Sequence, residues 1–325
     1  MGRSLWLLVL LVGLIGGPVV QAQRGYRSPV EVYVMRAPPQ ADGGLSRLFF
    51  INPVTSETIT ADVRGDRYTI VGDYVLYQDP VTQAMFRAWP DGRAEPHPFI
   101  QPAPETQRID WVVSPNRQWI AWMLTNRVAG GQIQTITTLA HADGTAPRVI
   151  LTDGPDAFLR AVPIALTDAG LFFFDRQPQG VGGYFFYPQY ASIYRLNTDA
   201  EAPTPELLPF EPNCFCGAGI SADGQFFARL ERVSDRGGYG LRLWDLAAGV
   251  DSFAPSLAVA YEMAGAVLVA PGGRGAVYSL ANNLAIDSAG SGRERFMLAV
   301  MDAESGTQRP ALYNQFLVPL LPLAW

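Results

Sequence analysis

The sequence contains no lysine: all 24 of its basic residues are arginine. That excludes a P-loop lysine and any Schiff-base chemistry. Histidine and cysteine are nearly as scarce, with two of each. A nucleophilic triad needs a base, usually an imidazole, and only His97 and His141 could supply one. His97 lies in the proline-rich Glu95-Pro96-His97-Pro98, and His141 ends a predicted strand near an outer rim. Both read as incidental surface histidines, and no G-x-S-x-G elbow is present. Cys214 and Cys216 cannot fill a tetrahedral zinc site by themselves, and a bridge closing so small a loop is strained. They read as two buried thiols, or else as a local disulfide formed in an oxidising compartment. Charge is sparse too: 17% of residues are charged against 48% hydrophobic. The net charge of −6 and pI near 5.0 lack the basic footprint of a nucleic-acid binder. These proportions describe a densely packed fold.

What is present begins with a targeting segment. Arg3 supplies a positive start, Leu5 to Ile15 an apolar core, and Val20-Gln21-Ala22 a small-residue cleavage pattern. The apolar stretch holds glycines and a proline and is shorter than the roughly 20 residues of a membrane span. Residues 1–22 are therefore expected to be a signal peptide, leaving 23–325 as a single domain outside the cytoplasm. Contact with a membrane is expected only if that N-terminal segment stays uncleaved. No Ser- or Pro-rich linker divides the remainder.

The mature chain is organised by a recurring unit: a strand, a tight polar turn, then a second apolar strand. Arg108 to Val113 leads through Ser114-Pro115-Asn116-Arg117 into Gln118 to Leu124. Cys214 to Ile220 leads through Ser221-Ala222-Asp223-Gly224 into Gln225 to Leu230. Units of four short strands repeating at roughly 40–55 residues predict a β-propeller. Blade three gives strands a to d, from the inside outward, at Arg108–Val113, Gln118–Leu124, Thr135–His141 and Pro147–Leu151. Its b strand is apolar on both faces, which fits a sheet covered by a neighbour on each side. Blade two parses as Tyr68–Val71, Val75–Gln78, Ala84–Trp89 and Pro98–Ile100. Similar sets follow from Leu159, Phe215 and Ala264. Pro90-Asp91-Gly92, Ala142-Asp143-Gly144 and Ala247-Ala248-Gly249 supply residues suited to positive φ in the c-to-d turns. The first three strands, Val30–Met35, Leu48–Ile51 and Thr58–Val63, lack an a strand. Phe316 to Trp325 is expected to provide it, closing an all-β ring of six blades without a free edge.

These residues resemble the TolB-like, WD40-like six-bladed propellers of bacterial envelopes. The resemblance is carried by Ser114-Pro115-Asn116-Arg117-Gln118-Trp119-Ile120-Ala121-Trp122, by Ala142-Asp143-Gly144, and by Arg148-Val149-Ile150-Leu151-Thr152. The family's Asp-Gly pair is Asn116-Arg117 here and intact as Asp223-Gly224 in blade five. Leu243-Trp244-Asp245 is similar to the Trp-Asp ending of a WD40 blade. The resemblance implies the fold and a habit of binding protein partners, and implies no reaction.

Two constellations are candidate sites. The b-to-c and d-to-a loops share one face of a propeller, and the b-to-c loops are long and glycine-rich. The richest carries Tyr184, Phe185, Phe186, Tyr187 and Tyr190, rings that could form a contact surface at little entropic cost. Asp66, Asp110, Asp156, Glu211 and Glu262 fall near successive d-to-a loops. A carboxylate ring at the channel mouth would attract a cation, Ca²⁺ being the candidate. The first constellation predicts a monomeric binding or scaffold module for a protein or glycan, with no organic cofactor and no catalysis. The second leaves open a metal-dependent hydrolase similar to the propeller lactonases.

Overall fold

The structure is a computed structural model describing residues 31–36, 45–51, 57–178, 190–209, 217–233, 239–254, 263–282, 295–302 and 308–314. These residues form six antiparallel sheets, each a meander in chain order. The first holds β1 (Glu31–Arg36), β2 (Ser46–Ile51) and β3 (Thr58–Val63). The second holds β4 (Asp66–Val71), β5 (Tyr74–Gln78), β6 (Met85–Ala88) and β7 (Ala94–Pro96). The third comprises β8 (Thr106–Val113), β9 (Trp119–Arg127), β10 (Ile133–His141) and β11 (Arg148–Asp156). The fourth comprises β12 (Leu159–Leu166), β13 (Leu171–Pro178), β14 (Tyr194–Asn197) and β15 (Glu206–Leu207). In the fifth are β16 (Ala218–Ile220), β17 (Phe226–Arg232), β18 (Tyr239–Asp245) and β19 (Val250–Ala254). The sixth has β20 (Met263–Val269), β21 (Gly275–Asn282), β22 (Arg295–Asp302) and β23 (Gln308–Asn314). The opening strands β4, β8, β12, β16 and β20 contact one another in succession, which makes them the inner strands of consecutive blades.

Among the described residues the core is divided into five slabs, each between two blades consecutive in the chain. Leu48 and Phe50 meet Val75 and Tyr77 between blades one and two. Leu76 and Met85 meet Ile109 and Ile120 between two and three. The slab between three and four joins Ala121 and Met123 to Phe172 and Phe174. Val162 and Phe173 face Ala218 and Phe227 between four and five, and Leu230 and Leu241 face Val267 and Tyr278 between five and six. The unbroken apolar run of β9 follows from this division. Ile120 and Trp122 serve the slab toward blade two, while Ala121 and Met123 serve the one toward blade four. A strand that packs on both faces has no solvent face on which to place polar residues.

The turns explain the repeat. Ser114 accepts the Trp119 amide on its hydroxyl at 3.0 Å, and Ser221 does the same for Phe226 at 2.9 Å. Thr167 fills this role in blade four, toward the Leu171 amide at 3.0 Å. The turn must then pass through left-handed backbone. Gly224 takes it at φ 72°, and Arg117 takes it at φ 60° where the repeat offers no glycine. A non-glycine residue there costs energy; in both turns the preceding residue closes the loop, Asn116 receiving the Ser114 hydroxyl at 2.6 Å and the Gln118 amide at 2.9 Å, and Asp223 receiving the Ser221 hydroxyl and the Gln225 amide.

One strand lies elsewhere than expected. The outer strand of blade two is Ala94–Pro96, not Pro98–Ile100. The Trp89 and Arg93 backbones close a tight hairpin at 3.0 Å, so the return strand starts immediately and is spent before Pro98. The closing strand expected at Phe316 to Trp325 lies outside the described residues, as do the signal segment and both cysteines.

Candidate functional site

At the end of the barrel where the d-to-a loops enter, three inner strands bring charge together. Asp110 on β8 is buried, with its side chain 8% exposed. Arg108, two residues earlier on the same strand face, contacts both of its carboxylate oxygens through Nε at 2.9 and 2.8 Å. Arg67 on β4 reaches over from blade two to donate to Asp110 at 2.8 Å and to the Ile109 carbonyl at 2.7 Å. Arg160 on β12 reaches back from blade four at 3.1 Å. Arg67 also lies 4.7 Å over the Trp111 ring and donates to Gln78. Trp111 in turn donates its indole N–H to Thr69 at 2.9 Å.

Burial opposes ionisation of Asp110, yet Arg108, Arg67 and Arg160 outweigh it and hold the carboxyl below its usual range. Arg160 is pulled down from the ordinary arginine range, first by burial and then by Arg108, against the attraction of Asp110. Arg160 is 5% exposed, while Arg67 and Arg108 are 33% and 36% exposed. The cluster is therefore sealed at its base and open to water at its rim.

Two members of the expected carboxylate ring are engaged otherwise. Asp110 is claimed by three guanidinium groups, an environment that repels a cation. Asp156 ends β11 and uses one oxygen to accept the amides of Phe158 at 2.7 Å and Leu159 at 2.9 Å. It is a turn-forming residue, and those amides lower its pKa. Asp66 opens β4, while Glu211 and Glu262 lie outside the described residues. Among the described residues, no three of His, Cys, Asp and Glu group together as metal ligands.

The aromatic loop is corrected at one position. Tyr190 is 7% exposed and packs with Val162, Phe173 and Ile193, so it belongs to the core. Burial raises its pKa, reinforced by the Asp110 and Asp175 charges. Asp175 is fully buried and accepts the Ala191 and Ser192 amides at 2.9 and 3.0 Å, fixing the chain just after Tyr190. Tyr184, Phe185, Phe186 and Tyr187 lie outside the described residues.

Two further residues matter: one the sequence did not single out, and one it placed at the surface. Phe158, in the loop between blades three and four, is 75% exposed, two positions before Arg160. His97, expected at the surface, is 1% exposed. It receives the Ile100 amide on Nδ1 at 3.1 Å, and its Nε2 lies 3.2 Å from the Tyr74 hydroxyl. Burial, aided by Arg87, pulls its pKa down to about 3. His141 stacks on Trp119 at 3.8 Å between centroids.

Inner strands in succession, meander sheets and slab cores define a β-propeller. No family model and no curated protein matches the sequence. Solved structures do. TolB from Acinetobacter baumannii matches at 16% identity and a TM-score of 0.52, over 87% of this chain and 64% of that one. A prolyl endopeptidase, from a study of inter-domain dynamics in two such enzymes, matches at 14% identity and 0.55, over 86% and 39%. Prolyl oligopeptidase B from Galerina marginata matches at 12% identity and 0.52, over 89% and 40%. This chain thus spans less than two thirds of the TolB chain and about two fifths of the peptidases. At these identities the likeness is one of fold.

Proposed function

We propose that the chain is an exported, monomeric β-propeller that binds a protein or glycan partner through the face carrying the d-to-a and b-to-c loops. The observation that carries this reading is Phe158. A large ring left three-quarters exposed costs solvation free energy, yet here the Asp156 carboxylate holds its backbone in a fixed turn. An exposed aromatic ring on a turn held by its own carboxylate is the kind of residue found at interface centres. Tyr184, Phe185, Phe186 and Tyr187 remain candidates for the same surface from their place in the sequence. The targeting segment supports a site of action outside the cytoplasm.

The test is Phe158→Ser, read in two ways. Thermal stability should stay within about half a kcal/mol of the parent, as for other exposed positions. Capture of a partner from the envelope or medium of the source cells should fall. Capture that is unchanged by Phe158→Ser and by a Phe185→Ser/Phe186→Ser double variant would reject the loop face as the binding surface.

A further inference from the structure

We propose that blades three and four enclose a binding site for a small cluster of ordered water molecules. The hydroxyls of Thr125, Thr135 and Thr137 hold it, and it reaches outward to the ion pair of Arg176 and Asp153. The site lies within the barrel wall and does not depend on the loop face being a binding surface.

Strand register brings the three threonines together. Thr125 on β9 is paired with Thr135 on β10, and Thr137 is paired with Met123. Residues paired across two strands, or two apart along one, share a sheet face. Met123 packs against blade four, so all three threonines face that blade. On the next strand outward, Asp153 is the partner of Thr135. Arg176 of blade four reaches this carboxylate through Nε, at 3.1 and 3.2 Å from its two oxygens. Hydroxyls therefore lead from the second strand of blade three to a charged pair with its side chains 14% and 32% exposed. Ala161, the strand partner of Arg176, faces the same slab and fills little of it.

Thr125, Thr135 and Thr137 are 2%, 1% and 0% exposed. Among the described residues, none of their hydroxyls has a hydrogen-bond partner within the protein. By contrast, the buried hydroxyls of Ser114, Thr167 and Ser221 each accept a backbone amide. A buried hydroxyl is normally paired, because desolvating it without a partner costs more than one bond returns. Valine has the same shape as threonine, so packing alone gives no reason for an oxygen at three neighbouring positions. A buried water needs about two to four polar partners, and each hydroxyl can both donate and accept. Arg176 disfavours a cation here and Asp153 disfavours an anion, whereas a neutral dipole suits both.

The probe is water itself, followed by magnetic relaxation dispersion, whose amplitude reports waters that outlast molecular tumbling. Thr125→Val and Thr135→Val should each lose part of the parent's long-lived amplitude. Each should also melt about 2–4 °C lower, since the hydroxyls that remain lose a shared partner. Thr135→Ser keeps the hydroxyl and should keep the amplitude. A loss there equal to that of Thr135→Val would trace the effect to a disturbed strand and overturn the proposal. A melting temperature raised by either valine would also overturn it, because valine then removes a hydroxyl that was dry and unpaired. So would an amplitude unchanged in both valine variants, whatever their stability. If one valine variant fails to fold, the other, on a different strand, decides. Stabilisation by chloride but not by gluconate at equal ionic strength would make the ligand an anion and overturn the proposal as well.

Discussion

Arg160 of blade four donates to Asp110 of blade three across the seam between two inner strands, at 3.1 Å and with both side chains more than nine-tenths buried. Removing one partner of a buried pair strands the other charge in a low-dielectric site, at a cost of about 3–5 kcal/mol. Asp110→Leu is therefore expected to lower unfolding free energy in urea by that order, since it removes the carboxylate that all three guanidiniums share. Arg160→Met should cost less, because Arg67 and Arg108 still compensate Asp110. Equal losses in the two variants would contradict the shared-counterion arrangement.

A second prediction concerns pH. His97 is held neutral, with a folded pKa of about 3 against an ordinary value of 6.5. Below 6.5 the unfolded chain therefore binds a proton that the folded chain refuses. Stability from this group is fully present above pH 6.5 and declines as pH falls toward 3, at up to about 1.4 kcal/mol per unit. Much of this window lies above the range where carboxylates titrate. His97→Gln should flatten the slope between pH 4.5 and 6.5 in urea titrations. An unchanged slope would mean that the imidazole is hydrated.

A third prediction concerns the turn face. Asp223 in blade five accepts the Gly272 amide of blade six at 3.0 Å, and Asp168 in blade four accepts the Asn116 amide of blade three at 2.9 Å. Both carboxylates thus tie neighbouring blades, and Asp223 also holds its own hairpin through the Ser221 hydroxyl and the Gln225 amide. Asp223→Ala should cost about 1–3 kcal/mol, because the buried Ser221 hydroxyl and the Gln225 and Gly272 amides lose a charged acceptor. Asp223→Asn should recover part of that. Loss confined to the Ser221 hairpin in hydrogen exchange, with blade six unaffected, would refute the tie.

The fourth is steric. A Cβ on Gly219 would sit 2.2 Å from the Val267 carbonyl oxygen. Here the inner strands of blades five and six approach too closely for any side chain. Gly219→Ala should lower the melting temperature markedly, and a variant within error of the parent would show that the seam can open freely.

The architecture was legible because each cue sits within a few residues. Ser221-Ala222-Asp223-Gly224 writes its own turn, Trp119 to Leu124 announces coverage on both faces, and Asp245 accepts the Ala247 and Ala248 amides at 2.9 Å in the turn that ends a blade. The site was legible only in half. Asp110 was singled out as an acid at a strand start, but its meaning depends on Arg67 and Arg160, more than forty residues away on either side. The one local signal was Arg108-Ile109-Asp110, whose alternation places both charges on one strand face. His97 was misplaced because proline neighbours read as surface, whereas Tyr74 and Phe99 enclose the ring. Tyr190 was grouped with its loop, though the Asp175 carboxylate draws the following backbone into the core.

The most direct test of the binding account compares the two ends of the barrel in the cell. A photo-crosslinking phenylalanine analogue is placed at Phe158 on the loop end, and separately at Arg117 on the turn end. The account predicts a discrete covalent adduct from position 158 and none from position 117. Adducts arising only from position 117, or from neither, would contradict it.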